Sequence, residues 1–196
     1  MERKAEIRRK TRETDIQLRI ALDSAEESKI SSGIPFFDHM LSALSRHGRF
    51  CLNLECRGDY EVDDHHSIED IGICLGKALK RALGDKAGIR RFGEASVPMD
   101  DALAQSSLDL SGRSYFRYTG GELSGYIGRY SEELTLEFMR SLAVNAGINL
   151  HLRLLYGENR HHIHEALFKA LGVSLHRAVG RDEILGDVIP STKGTL

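Results

Sequence analysis

The 196-residue chain contains no tryptophan, three prolines and three cysteines. The scarcity of tryptophan and proline constrains little. The cysteines say more. Cys51, Cys56 and Cys74 are odd in number and form no C-x-x-C pair. They read as reduced, partly buried thiols of a cytosolic protein rather than as a disulfide framework. Long apolar runs are also missing, so no segment is expected to cross a bilayer. The start, Met1-Glu2-Arg3-Lys4-Ala5-Glu6, is charged and lacks an apolar h-region, so no secretory signal is expected. Net charge is only −2, which removes the general electrostatic case for nucleic-acid or membrane partners. The remaining composition is that of a soluble, cytoplasmic globular protein, one ordinary domain or two small halves.

Against these absences stands one repeated motif. His65-His66-Ser67-Ile68-Glu69 and His161-His162-Ile163-His164-Glu165 both read HHxxE. Residues four apart share a helix face, so His65 pairs with Glu69 and His161 with Glu165. The adjacent His66 and His162 point elsewhere, so each motif can serve two metals. Mixed nitrogen and oxygen donors suit Mn, Fe, Co or Zn. A single copy reads as well as a solvated helix start; two copies favour metal.

The coarse pattern also runs twice. Residues 4–12 and 15–22 alternate charged and apolar side chains, as a half-buried hairpin does. Phe36 to His47 has helical spacing after Pro35. Phe50 to Cys56 alternates as a strand, Gly58-Asp59 turns, and His65 to Leu83 is a helix stopped by Gly84. The second half offers strands near 92–97, 102–110 and 114–118, a helix from Glu132 to Ala146, a strand from Ile148 to Leu155, and a helix from His161 to Val179. The expected fold is α/β (α+β), two copies of a strand–strand–helix–strand–helix unit. The halves are residues 1–88 and 89–196, forming one compact domain. The tail, Asp187-Val188-Ile189-Pro190-Ser191-Thr192-Lys193-Gly194, reads either as an anion-binding loop or as a disordered end.

Several segments together resemble the imidazoleglycerol-phosphate dehydratase family of histidine biosynthesis. They are Phe36-Phe37-Asp38-His39-Met40-Leu41, His47-Gly48, Asp63-Asp64-His65-His66-Ser67-Ile68-Glu69-Asp70, Asp109-Leu110-Ser111-Gly112-Arg113 and His161 to Ala170. The match runs from Arg12-Glu13-Thr14 to Ser191-Thr192-Lys193-Gly194. The resemblance implies helices packed between two four-stranded sheets, a 24-mer built from trimers, and two Mn²⁺ ions per active site at subunit interfaces. By position, His39, His65, His66, Glu69, His161, His162 and Glu165 match metal ligands. The eighth ligand position, usually His in that family, falls on Glu137. Glu13 matches a substrate-contacting glutamate and is the first choice for proton transfer, with Glu165 a weaker one. His47 matches a substrate contact, and His39, His65, Glu69 and His161 also face the substrate. Arg91, Arg113, Lys169 and the loop Ser191, Thr192, Lys193 match phosphate contacts, for which guanidinium and ammonium groups are suited. Taken singly, each of these basic residues reads as a solvated surface charge and Glu13 as an exposed strand carboxylate. Asp63, Asp64 and Asp70 either orient ligating imidazoles or cap the helix. His164 is expected to face away from the ligand side. Met99-Asp100-Asp101-Ala102 is family-like without a derivable role.

The implied reaction turns D-erythro-imidazoleglycerol phosphate into imidazoleacetol phosphate. The proton to be lost lies beside no carbonyl, so the substrate's own ring must store the electrons. Two metals flanking the ring would hold it as imidazolate; the ring then expels the neighbouring hydroxyl, and loss of a carbon-bound proton gives an enol that becomes the ketone. Other readings of the ligand set are a dinuclear hydrolase of phosphorylated metabolites and a cluster that only staples subunits together.

Overall fold

The computed structural model describes residues 2–196; Met1, the first residue of the charged N-terminal segment and of the first half, lies outside the described residues. The first half runs β1 (Lys4–Lys10), β2 (Thr14–Ala21), β3 (Lys29–Ser31), α1 (Pro35–Gly48), β4 (Cys51–Gly58) and α2 (His65–Leu83). The second runs β5 (Phe92–Met99), β6 (Ala102–Asp109), β7 (Tyr115–Thr119), a short hairpin of β8 (Tyr126–Ile127) and β9 (Tyr130–Ser131), α3 (Leu134–Ala146), β10 (Asn149–Tyr156) and α4 (Arg160–Val179). The first half therefore opens with three strands rather than two, and the second with the three expected strands followed by the short β8–β9 hairpin. The missed β3 is only three residues long, too short for an alternating pattern to show. The β8–β9 hairpin is shorter still. Helix α3 starts at Leu134 rather than Glu132, after a turn in which Thr135 N–H donates to the Glu132 carbonyl and the Glu132 carboxylate is buried against Arg160 (3.2 Å).

The two sheets share one topology, β1-β2-β4-β3 and β5-β6-β10-β7. In each, three strands are antiparallel and the last pairs parallel with its neighbour. The inward faces follow from period-two alternation. Ile16, Leu18 and Ile20 are buried while Gln17 and Arg19 point out. Each such aliphatic side chain contributes about 1.5–3 kcal/mol on burial.

All four helices lie between the sheets. Helix α1 packs on α4, and α2 packs on α3, so both contacts join opposite halves. Glycines set the spacing. A Cβ on Gly76 would lie 2.7 Å from the Leu142 carbonyl oxygen, and one on Gly172 would lie 2.7 Å from that of Leu44. The same approach thus occurs at both helix pairs. Helices α1 and α3 also end alike. Left-handed C-caps at Arg49 (φ 52°) and Gly147 (φ 67°) turn each helix into its following strand, with Phe50 N–H donating to Ser45 and Ile148 N–H to Ala143. His39 and Glu137 sit the same number of residues before these caps, so they are counterparts across the duplication. The three cysteines are buried and free; burial pushes the Cys74 thiol up to about 11.

Candidate metal centre

Three donors converge at the start of α4. His39 Nε2 from α1 lies 3.5 Å from Glu165 Oε2, and His161 Nε2 lies 3.3 Å from the same oxygen. All three donor atoms fall within 4.8 Å of one another. Two imidazoles and one carboxylate aimed at one point fit a divalent ion such as Mn, Fe, Co or Zn. The α1–α4 contact that Gly172 permits brings His39 there. The other Glu165 oxygen accepts from Lys169 Nζ at 2.7 Å, one turn along the helix. Burial opposes ionisation of Glu165, but Lys169, His39 and His161 outweigh it and hold the pKa below its usual value. The Phe36 ring meets the His161 ring edge-on, with centroids 5.3 Å apart, which limits the rotation of that imidazole. His47, in the last turn of α1, has its pKa lowered by desolvation and then by the Lys169 cation.

The second histidine of each motif is oriented by an aspartate. His66 Nδ1 donates to Asp59 Oδ2 at 3.0 Å, and His162 Nδ1 donates to Asp101 Oδ1. A carboxylate can only accept, so the proton is on Nδ1 and the Nε2 lone pair is available to a metal. Of the two roles open to Asp63, Asp64 and Asp70, orienting imidazoles or capping the helix, none of them orients a ligand ring and Asp63 caps. Asp63 accepts from the His65 backbone N–H at the helix start, Asp64 binds Arg129, and Asp70 binds Arg9 and Thr14. The orienting carboxylates come instead from loops. A signal was present, since Asp59 and Asp101 lie in the Gly58-Asp59 turn and the family-like Met99–Ala102 stretch, but their target is distant in sequence. Asp101 also accepts from the backbone N–H groups of Asn159 and Glu158. These bonds and the one from His162 hold its carboxyl well below the usual carboxylate range.

The remaining expected ligands are placed apart. Among the described residues, no other three His, Cys, Asp or Glu side chains converge. His65, His66 and Glu69 occupy the first turns of α2, half-buried. Glu137, in the first turn of α3, is paired with Arg140 at 2.5 Å. Glu13, exposed in the β1–β2 turn, has Oε1 3.9 Å from His66 Nε2. His164 is fully buried, and its Nδ1 shares a hydrogen bond with Thr135 Oγ1 at 2.8 Å. Burial lowers its pKa to about 4, and it takes no part in the cluster.

The basic residues divide between two ends of β5. Lys169 lies beside Met99, with Nζ 3.1 Å from the sulfur. Arg91 precedes Phe92 at the other end, where its guanidinium bonds both Asp109 oxygens (2.7 and 3.1 Å) and the Pro190 carbonyl. The tail is folded rather than loose. Gly88 N–H donates to Val188, and a turn closes from Gly194 N–H to Ser191. Leu196 abuts Gly112, next to the exposed Arg113. Arg91, Arg113 and Ser191–Lys193 thus gather at one end and Lys169 at the other, roughly 25 Å away along an eight-residue strand.

Residues 32–175 match the family model for imidazoleglycerol-phosphate dehydratase. The chain is 52% identical over 194 residues to the imidazoleglycerol-phosphate dehydratase of Desulforudis audaxviator, covering 99% of this chain and 98% of the relative. It is 53% identical to that of Moorella thermoacetica, over the full length of both. The crystal structure of the Staphylococcus aureus enzyme superposes with a TM-score of 0.83 at 34% identity, covering 91% of this chain and 99% of that one. The Pyrococcus furiosus enzyme, in complex with (S)-C348, gives 0.83 at 36% identity, covering 97% and 100%. With its two matching sheets, its paired HHxxE helices and these full-length relatives, the chain belongs to the imidazoleglycerol-phosphate dehydratase family, a family of hydro-lyases.

Proposed function

We propose that this protein dehydrates D-erythro-imidazoleglycerol phosphate to imidazoleacetol phosphate in histidine biosynthesis, in the cytoplasm, with two Mn²⁺ ions per active site. The observation that carries this reading is the convergence of His39, His161 and Glu165 beside Lys169 in a chain of this family. The duplication supplies the second set. Glu137 is the counterpart of His39, and His65 and Glu69 are the counterparts of His161 and Glu165. The second ion is therefore assigned to Glu137, His65 and Glu69, and His66 and His162 would contribute their Nε2 atoms across the pair. Bound divalent ions act as Lewis acids that lower the N–H pKa of the substrate ring.

Each protein group then has a task. His39, His65, Glu69 and His161 enclose the ring, and His47 borders it. Glu13, exposed beside His66, moves the carbon-bound proton. Glu165 is a weaker candidate for this step, since one oxygen already accepts from Lys169 and the other would be taken by a bound metal. Lys169, Arg91, Arg113, Ser191, Thr192 and Lys193 hold the phosphate. Arg91 serves there chiefly by fixing the tail through Pro190. Because these groups sit at opposite ends of β5, one active site draws on more than one copy of the chain. That fits a closed assembly, a 24-mer of trimers. The test is mass spectrometry of imidazoleglycerol phosphate incubated with Mn²⁺-loaded protein, with a chelated control. Metal-dependent loss of one water is expected. Release of free phosphate, or no change with loaded and assembled protein, would overturn the assignment.

A further inference from the structure

Beneath the β1–β2 turn lies a buried polar group that the duplication itself marks as unnecessary for folding. Asp70 is 5% exposed. Its Oδ1 accepts from Arg9 Nη2 at 2.8 Å, and its Oδ2 accepts from Thr14 Oγ1 at 2.6 Å. Thr14 is 3% exposed and directly follows Glu13. Thr11 Oγ1, in turn, accepts the backbone N–H groups of Glu13 (3.1 Å) and Thr14 (2.9 Å). The turn carrying Glu13 is thus bolted to α2 one residue beyond Glu69.

The second half shows what the fold needs at these places. The first hairpin closes from Thr11 to Thr14 and the second from Met99 to Ala102. Thr14 therefore corresponds to Ala102, Arg9 to Val97, and Asp70, following the motif glutamate, to Ala166. Ala102 and Ala166 are fully buried, and Val97 packs on the core. Three apolar side chains build the same hairpin-on-helix contact. A buried carboxylate paired with a half-buried arginine is rarely more stabilising than an apolar replacement, so stability does not account for the polar set.

We propose that Asp70, with Arg9 and Thr14, is a positioning device that fixes the β1–β2 turn so that Glu13 is held at the reacting carbon. The inference rests on the proton-transfer reading of Glu13. Asp70 and Thr14 are positioning residues and do not touch substrate. A fixed turn keeps the carboxylate in reach for each turnover, and displacement by even an ångström slows such a step steeply.

The test is a double-mutant cycle on the Mn²⁺-loaded, assembled enzyme. Thr14→Val should lower kcat roughly tenfold with KM little changed, while metal content and sedimentation stay as in the parent. Thr14→Ser, which keeps the hydroxyl, should restore turnover. In a Glu13→Gln background, Thr14→Val should cause no further fall in kcat, because the group it positions is gone. The combined Arg9→Val, Thr14→Ala, Asp70→Ala variant copies the apolar set of the second half; it should fold and bind metal yet show the same slow turnover. Equal losses from Thr14→Val with and without Glu13 would overturn the positioning role and leave Glu13 in place. Parental turnover in Thr14→Val would do the same. Parental turnover in Glu13→Gln would instead remove Glu13 from the reaction, and the inference with it.

Discussion

Asp101 does two jobs with one carboxylate. One oxygen orients His162, and the other accepts the backbone N–H groups of Glu158 and Asn159 ahead of α4. Asp101→Ala should therefore lower metal affinity, by roughly 10–100-fold as removal of such orienting partners usually does. It should also cost about 1 kcal/mol, because the backbone N–H groups of Glu158 and Asn159 lose their acceptor while the Asn159 cap of α4 stays in place. Metal titration calorimetry and metal-free thermal melts separate the two effects. Lower stability with unchanged metal affinity would show that His162 needs no orienting partner. Glu137 invites a different comparison. If it is the metal-binding counterpart of His39, Glu137→Ala should reduce the metal content of the assembled protein by about as much as His39→Ala, because each removes one direct ligand of one ion. Elemental analysis of purified assemblies measures this. Full metal content in Glu137→Ala would restrict Glu137 to its ion pair with Arg140.

At the scale of elements, two glycines decide how closely the helices approach. Alanine normally favours an exposed helix interior by about 1 kcal/mol over glycine. Here a Cβ at residue 76 would meet the Leu142 oxygen at 2.7 Å and the Ala146 nitrogen at 2.9 Å; one at residue 172 would meet the Leu44 oxygen at 2.7 Å and the Gly48 nitrogen at 3.0 Å. Those are backbone atoms and cannot swing aside, so overpacking outweighs propensity. Gly76→Ala and Gly172→Ala should each destabilise the chain by about 1–3 kcal/mol, read as a lower midpoint in denaturant. Gly172→Ala should in addition loosen metal binding, since the α1–α4 contact is what delivers His39. The long helices and paired strands were legible because their apolar periods are long enough to see. Strand β3 was not, because Lys29–Ser31 spans barely one period. In the same way, His161 and Glu165 could be named from local spacing and His39 only through the family resemblance, whereas Asp59 and Asp101 act on partners that only the folded loops bring near. The Arg9–Asp70–Thr14 group was equally hidden, since its members stand on three elements.

For the molecule as a whole, what matters is that one chain brings together only part of the proposed ligand set. His39, His161 and Glu165 meet, while His65, His66, Glu69 and Glu137 do not join them. The basic groups proposed to bind phosphate are split along β5 in the same way. If neighbouring copies complete each site, the metal is also part of the contact between them. Chelation should then dissociate the assembly into smaller oligomers, and re-addition of Mn²⁺ should restore it; sedimentation follows both steps, and an unchanged particle after full metal removal would place assembly elsewhere. Subunit mixing gives a sharper test. His161→Ala damages one half-site and His65→Ala the other, so each variant alone should be inactive. When the two are dissociated, mixed in equal amounts and reassembled, a site formed between copies recovers both intact halves in about a quarter of cases by random pairing. Turnover should reappear at about that fraction of the parent. A site contained in one chain would never regain both halves, and the mixture would stay as inactive as its components.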